Sequence, residues 1–189
     1  MGALIAVIVV VVILLIAVIW YISTRNGIIS FRNRVEESWS GIDVQLKRRH
    51  DLVPNLVETV KGYATHEAGV FEAVTKARAD AMATPDSNVE GTAKAEGNLD
   101  RALADLRAVA ENYPDLKATE NFQQLSRNLS ELEDEIQASR RIYNSNVQSY
   151  NTKIQQFPAS IVAGQGNFTA KEFYEIENAA ERDTPSVSF

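Results

Sequence analysis

The apolar positions of this chain follow three different rhythms, and each predicts a different element. From Ala3 to Ile22 there is no alternation with polar residues: the run has no charge, no proline and no glycine, and only Trp20 and Tyr21 depart from Ala, Leu, Ile and Val. As a helix rising about 1.5 Å per residue it reaches roughly 30 Å, the thickness of a bilayer's hydrocarbon core. The aromatic pair at its end suits the headgroup belt. A buried helix of a soluble domain would show a polar face over this length, and this one shows none. A cleaved signal peptide would need a basic leader and a small-residue cleavage site. Only Met1 and Gly2 precede the run, and Trp20-Tyr21-Ile22-Ser23-Thr24-Arg25 has no Ala-x-Ala pattern. The expectation is a transmembrane helix from Ala3 to Ile22.

From Val35 the spacing alternates between four and three through Trp39, Ile42, Leu46, Val53, Leu56, Val60 and Tyr63, with Arg49 sitting in the seam. That pattern predicts an amphipathic helix. Pro54 lies inside it and removes the hydrogen bond to His50, so a kink is expected there. Two further stretches follow, Val70–Ala83 ending in the loop Thr84–Asn88, and Leu99–Tyr113 stopped by Pro114. The third rhythm is a repeat of seven: Phe122, Leu129, Ile136, Tyr143, Tyr150 and Phe157. Leu125 and Leu132 fill its companion position early, Val147 and Ile154 later, which is the drift of a 3.6-residue helix against a heptad. This helix is expected from about Thr119 to Phe157, since the residue before Pro158 resists helical geometry.

Beyond Pro158 the pattern fades through Gly164-Gln165-Gly166, and a short Lys171–Ala180 helical segment and a polar tail follow. Strand signals are missing. The fold class is therefore all-α: a transmembrane anchor over 1–24, an elongated antiparallel bundle of about four long helices over 25–158, and a C-terminal loop, short helix and acidic tail over 159–189. Asn26-Gly27 is where the span and the first bundle helix would separate.

Charge adds an orientation. Arg25, Arg32 and Arg34 follow the span directly, with Lys47, Arg48 and Arg49 further on, and only the α-amino group precedes it. The positive-inside rule then places the N-terminus outside and residues 23–189 in the cytoplasm of a single-pass inner-membrane protein. The formal net charge of −6 argues against a nucleic-acid partner. Basic residues gather near the span while Glu172, Glu175, Glu177, Glu181 and Asp183 crowd the end, a gradient suited to a base that faces anionic headgroups. Cysteine is absent, so disulfides and thiolate chemistry are excluded.

Little else points to chemistry. His50 and His66 stand outside the Glu-x-x-His pattern of di-iron bundles, and His66-Glu67 lacks the second histidine of a zinc protease helix. Both read as surface or seam histidines. No Gly-x-x-x-x-Gly-Lys phosphate loop occurs. Glu131, Glu133, Asp134 and Glu135 read as a solvated face opposite Leu129, Leu132 and Ile136. Lys47-Arg48-Arg49 reads as surface or as a phosphate-binding triplet. No catalytic residue, cofactor or metal is expected. One repeat stands out: Tyr143-Asn144-Ser145-Asn146-Val147-Gln148 is echoed by Tyr150-Asn151-Thr152-Lys153-Ile154-Gln155. Such residues either lock helix register or present a polar-aromatic contact surface.

The stretch Trp39-Ser40-Gly41-Ile42-Asp43-Val44-Gln45-Leu46-Lys47-Arg48-Arg49-His50-Asp51-Leu52-Val53-Pro54-Asn55-Leu56-Val57 closely resembles the signature of the LemA family. Glu58–Ala64, His66-Glu67, Arg140-Arg141-x-Tyr143-Asn144, Tyr150-Asn151, Phe157-Pro158 and the apolar N-terminus extend the resemblance over nearly the whole chain. It implies a bacterial single-pass membrane protein with a short external N-terminus and a helical cytoplasmic domain, and it brings no catalytic residues with it. Trp39, Asp43, Arg48, Arg49, Asp51 and Asn55, with Tyr143, Asn144, Tyr150 and Asn151, are the positions expected to set register or meet a partner. The polar ones of the first motif suit either a buried network that fixes the kink at Pro54 or a partner site. The function expected is non-enzymatic: a membrane-anchored helical protein acting through protein contacts, by self-association or scaffolding. The alternative is a tethered adaptor or regulator of a membrane enzyme such as a protease. The expected partners are the lipid bilayer, a second copy of the chain and another membrane protein.

Overall fold

In the computed structural model, which describes residues 1–85 and 87–175, every regular element is a helix. There are six among the described residues: α1 Gly2–Lys61, α2 Ala68–Ala83, α3 Val89–Glu111, α4 Pro114–Lys117, α5 Glu120–Gln155 and α6 Ala159–Gln165. The class is all-α, with the four longer helices where the apolar rhythms place them.

Several boundaries differ from expectation for local reasons. Asn26-Gly27 does not interrupt α1, which runs helically from the apolar segment through Pro54 to Lys61. Helix α3 begins ten residues before Leu99, at Val89, because the Asn88 side chain caps it by accepting from the Gly91 amide at 2.8 Å. Pro114 ends nothing by itself: it opens α4, at a first-turn position where its missing N–H costs no bond, and lets Leu116 become fully buried. Past Pro158 the chain turns into α6 rather than a loop, burying Ala159, Val162 and Ala163. Residues 171–175 are not helical, contrary to the expected Lys171–Ala180 segment, of which 176–180 lie outside the described residues. The Lys171 amide is instead held by the Asn151 side chain, and Tyr174 is buried.

Packing divides the chain into two compact units. The first comprises Met1–Ser40 and Ile142–Lys171. Its interior is built from Ile28 and Val35 of α1, Tyr143, Val147 and Tyr150 of α5, and α6. In α1 the residues before Tyr21 are all exposed, and none of the most apolar window is buried by protein. Burial sets in at every third to fourth residue only beyond it. The second unit comprises Gly41–Arg141 and the chain from Glu172. There Val53, Leu56 and Val60 meet Phe71 and Val74 of α2, Leu99, Leu103 and Leu106 of α3, and Leu129 of α5 in one core.

Candidate functional site

The second unit also carries a charged cluster centred on buried side chains of α1 and α3. Arg49, at an apolar seam position of α1, is only 1 % exposed. Its guanidinium donates from one terminal nitrogen to Glu96 and from the other to Asp100 at 2.5 Å and Glu133 at 2.8 Å. The other Glu96 oxygen meets His50 Nε2 at 2.8 Å. Glu96 and Asp100 come from α3 and Glu133 from α5, so one arginine ties three helices. Burial alone would lower the Arg49 pKa, but the charges of Glu96, Asp100 and Glu133 outweigh it and hold it above its ordinary value. Glu96 is pushed up by burial and brought down further by the His50 hydrogen bond and the Arg49 charge, so it stays ionised below the usual carboxylate range. Asp100 is raised, by burial first, with Arg49 opposing and Glu133 adding repulsion.

The proline inside α1 is answered from a neighbouring helix. Pro54 has no N–H to give the His50 carbonyl four residues back. Arg78 of α2 takes that place, its Nε donating to His50 O at 2.6 Å. Beside the cluster lies a cavity of about 510 Å³ lined by Glu96, Asp100, Arg107, Glu133 and Tyr174. Tyr174 is 1 % exposed, with Arg140 stacked 5.0 Å from its ring centroid, and burial together with Glu96 raises its phenol well above the ordinary range. No group of three or more His, Cys, Asp and Glu among the described residues is placed to hold a metal ion.

The motif's polar residues thus part into two faces. Arg49 and His50 point inward, while Arg48, Asp51 and Asn55 are exposed on the other side of α1. With Asn128, Glu131 and Glu135 of α5 they line an open groove of about 460 Å³ floored by Leu52 and Leu132. Arg48 bridges it, donating to Glu135 at 2.8 Å and to Gln45 at 2.8 Å. Asp43 is half-buried and pairs with Lys47 one turn on.

In the first unit the Tyr-Asn repeat faces inward. The Trp39 and Tyr143 rings lie 5.4 Å apart at 58°. Asn144 is half-buried in α5. Tyr150, 1 % exposed, donates its hydroxyl to Thr169 O at 3.0 Å. Asn151 donates to Lys171 O at 2.9 Å and accepts from Lys171 N at 2.8 Å. These side chains therefore hold the chain's own segment beyond α6. That segment is shaped by Gly166, where a Cβ would stand 2.5 Å from the Phe168 ring, and by Asn167 at φ 52°.

Glu96 and Asp100 lie outside the expected residues, and Glu133, expected on a solvated face, turns partly inward. Glu96 had a signal: it continues the stripe Leu99, Leu103 and Leu106 toward the N-terminus, an acid at a core position as Arg49 is a base at one.

An apolar helix long enough to cross a bilayer, joined to helices with a charged core, defines a membrane-associated helical protein. The chain belongs to the LemA family, whose model matches residues 38–189. It is 29 % identical over 143 residues to Protein LemA of Metamycoplasma hominis, covering 76 % of this chain and 65 % of that one. It is 24 % identical over 187 residues to Magnetosome protein MamQ 2 of Paramagnetospirillum magneticum, covering 86 % of this chain and 68 % of that one. Magnetosome protein MamQ of Magnetospirillum gryphiswaldense is 22 % identical with the same coverage. The chain thus spans about two thirds of the length of these relatives.

Proposed function

We propose that this chain is a non-enzymatic membrane protein that acts through protein contacts, associating with further copies of itself at the bacterial inner membrane as a scaffold. The observation that carries this reading is the division of the signature motif. Arg49 and His50 are buried and paired with acids inside the fold, whereas Arg48, Asp51 and Asn55 are exposed along a groove with acidic and amide side chains facing them from α5. Mixed charges over an apolar floor favour a protein surface of matching pattern. Anchoring in a plane raises the effective concentration of copies, so weak contacts suffice.

The test is the mass of the detergent-solubilised full-length chain by light scattering. Asp51→Arg with Asn55→Arg is expected to reduce large assemblies to monomers while circular dichroism stays unchanged. Assemblies that persist in the variant would remove the groove from the contact. A fixed-ratio complex with one other membrane protein, lost in the same variant, would replace self-association by the adaptor reading.

The arginines after the span support a topology with the N-terminus outside and the helical part in the cytoplasm. In a chain with no native cysteine, Gly2→Cys is expected to react with an impermeant thiol reagent in intact cells, and a cysteine in the C-terminal tail is not. Labelling of the tail alone would invert the topology.

A further inference from the structure

We infer that the corner between α5 and α6 is a second membrane contact, with Phe157 and Ile161 entering the interfacial layer of the leaflet from which α1 emerges. Outside the span, the exposed large apolar residues of the first unit are Ile142, Phe157 at 83 % and Ile161 at 51 %. Two of the three share one corner, and the contacts within this unit fix the height of that corner. Trp39 stacks on Tyr143, and Asn146 donates to the Arg34 carbonyl at 3.3 Å, so α1 and α5 run antiparallel. Continuing that register brings Phe157 level with residues 23–25, only one to three residues past Ile22. At about 1.5 Å per residue this is within roughly 5 Å of the end of the apolar run.

Charge matches the same surface. Between Ser23 and Val35, and between Ile142 and Lys171, there is no Asp or Glu, and the charged residues are Arg25, Arg32, Arg34, Lys153 and Lys171. The unit's acids are Glu36 and Glu37, on the side away from Phe157, where Glu36 pairs with Arg32 at 3.7 Å; nearer the apolar run only basic side chains are charged. Cationic residues around an apolar pair suit an interface carrying anionic headgroups. In α6, Ala159, Val162 and Ala163 pack inward, which leaves Ile161 on the outer side next to Phe157. The inference needs the span to cross the bilayer and does not depend on self-association.

The absence of cysteine allows single labels on the full-length chain. Phe157→Cys and Ile161→Cys, each carrying an environment-sensitive NBD fluorophore, are placed in nanodiscs containing phosphatidylglycerol. Ile142→Cys serves as the aqueous reference and Ile13→Cys as the bilayer reference. At 157 and 161 the emission is expected to shift to the blue of that at 142 and to lose most of its intensity to lipids bearing a doxyl quencher near the headgroup. Emission matching that at 142, with no lipid quenching, would overturn the inference. A blue shift without lipid quenching would also overturn it, assigning the corner to a protein contact. A label at 13 that lipids with a doxyl group deep in the acyl chain fail to quench would instead locate the failure in the span.

Discussion

Arg49→Ala is expected to cost the second unit about 3–5 kcal/mol, the range for removing one partner of a buried ion pair. The substitution leaves Glu96, almost wholly buried, with a charge answered only by His50. It also releases Asp100 and Glu133, whose mutual repulsion Arg49 offsets. In thermal unfolding followed by circular dichroism the midpoint should fall by on the order of 10 °C. The deficit should depend on pH with a definite sign. In the native chain Glu96 has a lowered pKa, so its contribution is present above the ordinary carboxylate value and is lost as pH falls through the folded one. Without Arg49, burial dominates and raises that pKa, so protonation relieves the variant. The gap between variant and parent should therefore narrow from neutral toward acidic pH. A gap that widens on acidification would show that Glu96 is not the group left uncompensated. Arg49→Met combined with Glu96→Leu should recover much of the loss, since apolar replacements remove both charges together.

Arg78→Ala carries the second largest effect. It deprives a buried-side carbonyl, that of His50, of its donor, for a loss of about 1.5–3 kcal/mol as expected for a hydrogen bond from a charged group. The proline makes the loss specific. In a Pro54→Ala background the new amide can donate to His50 O within the helix, so removing Arg78 should cost clearly less there. Equal losses in both backgrounds, measured by the same unfolding experiment, would detach Arg78 from the proline. The pairing also explains why α1 passes Pro54 and continues to Lys61: the orphaned acceptor is served from α2.

The long periodic elements were legible because period and burial are the same information. The span, the seam from Val35 and the sevens of α5 each needed only one chain segment to be read. Arg49 was conspicuous for the same reason, as a charge on an apolar stripe. What answered it was not legible, because Glu96 and Glu133 lie 47 and 84 residues away: Glu96 sits on the Leu99 stripe but nothing local names its partner, and nothing local distinguishes Glu133 from solvated acids. Glu133 shows the limit well: its neighbours Glu131, Asp134 and Glu135 are exposed, and only the helix phase turns it partly inward. The Tyr-Asn repeat was visible, but its occupant was not. Tyr150 and Asn151 spend their polar groups on the backbone of Thr169 and Lys171, a non-periodic segment that leaves no trace in a hydropathy pattern.

That α1 is unbroken at Asn26-Gly27 fixes an angular relation as well as a connection. With 3.6 residues per turn, each residue between Ile22 and Ile28 sets about 100° of azimuth between any chosen side of the apolar segment and the side that Ile28 and Val35 bury. A flexible joint would let the apolar segment spin freely relative to the rest of the first unit. A continuous hydrogen-bonded rod makes it a crankshaft, so that whichever side of the span meets a neighbour in the membrane also dictates which way the first unit faces.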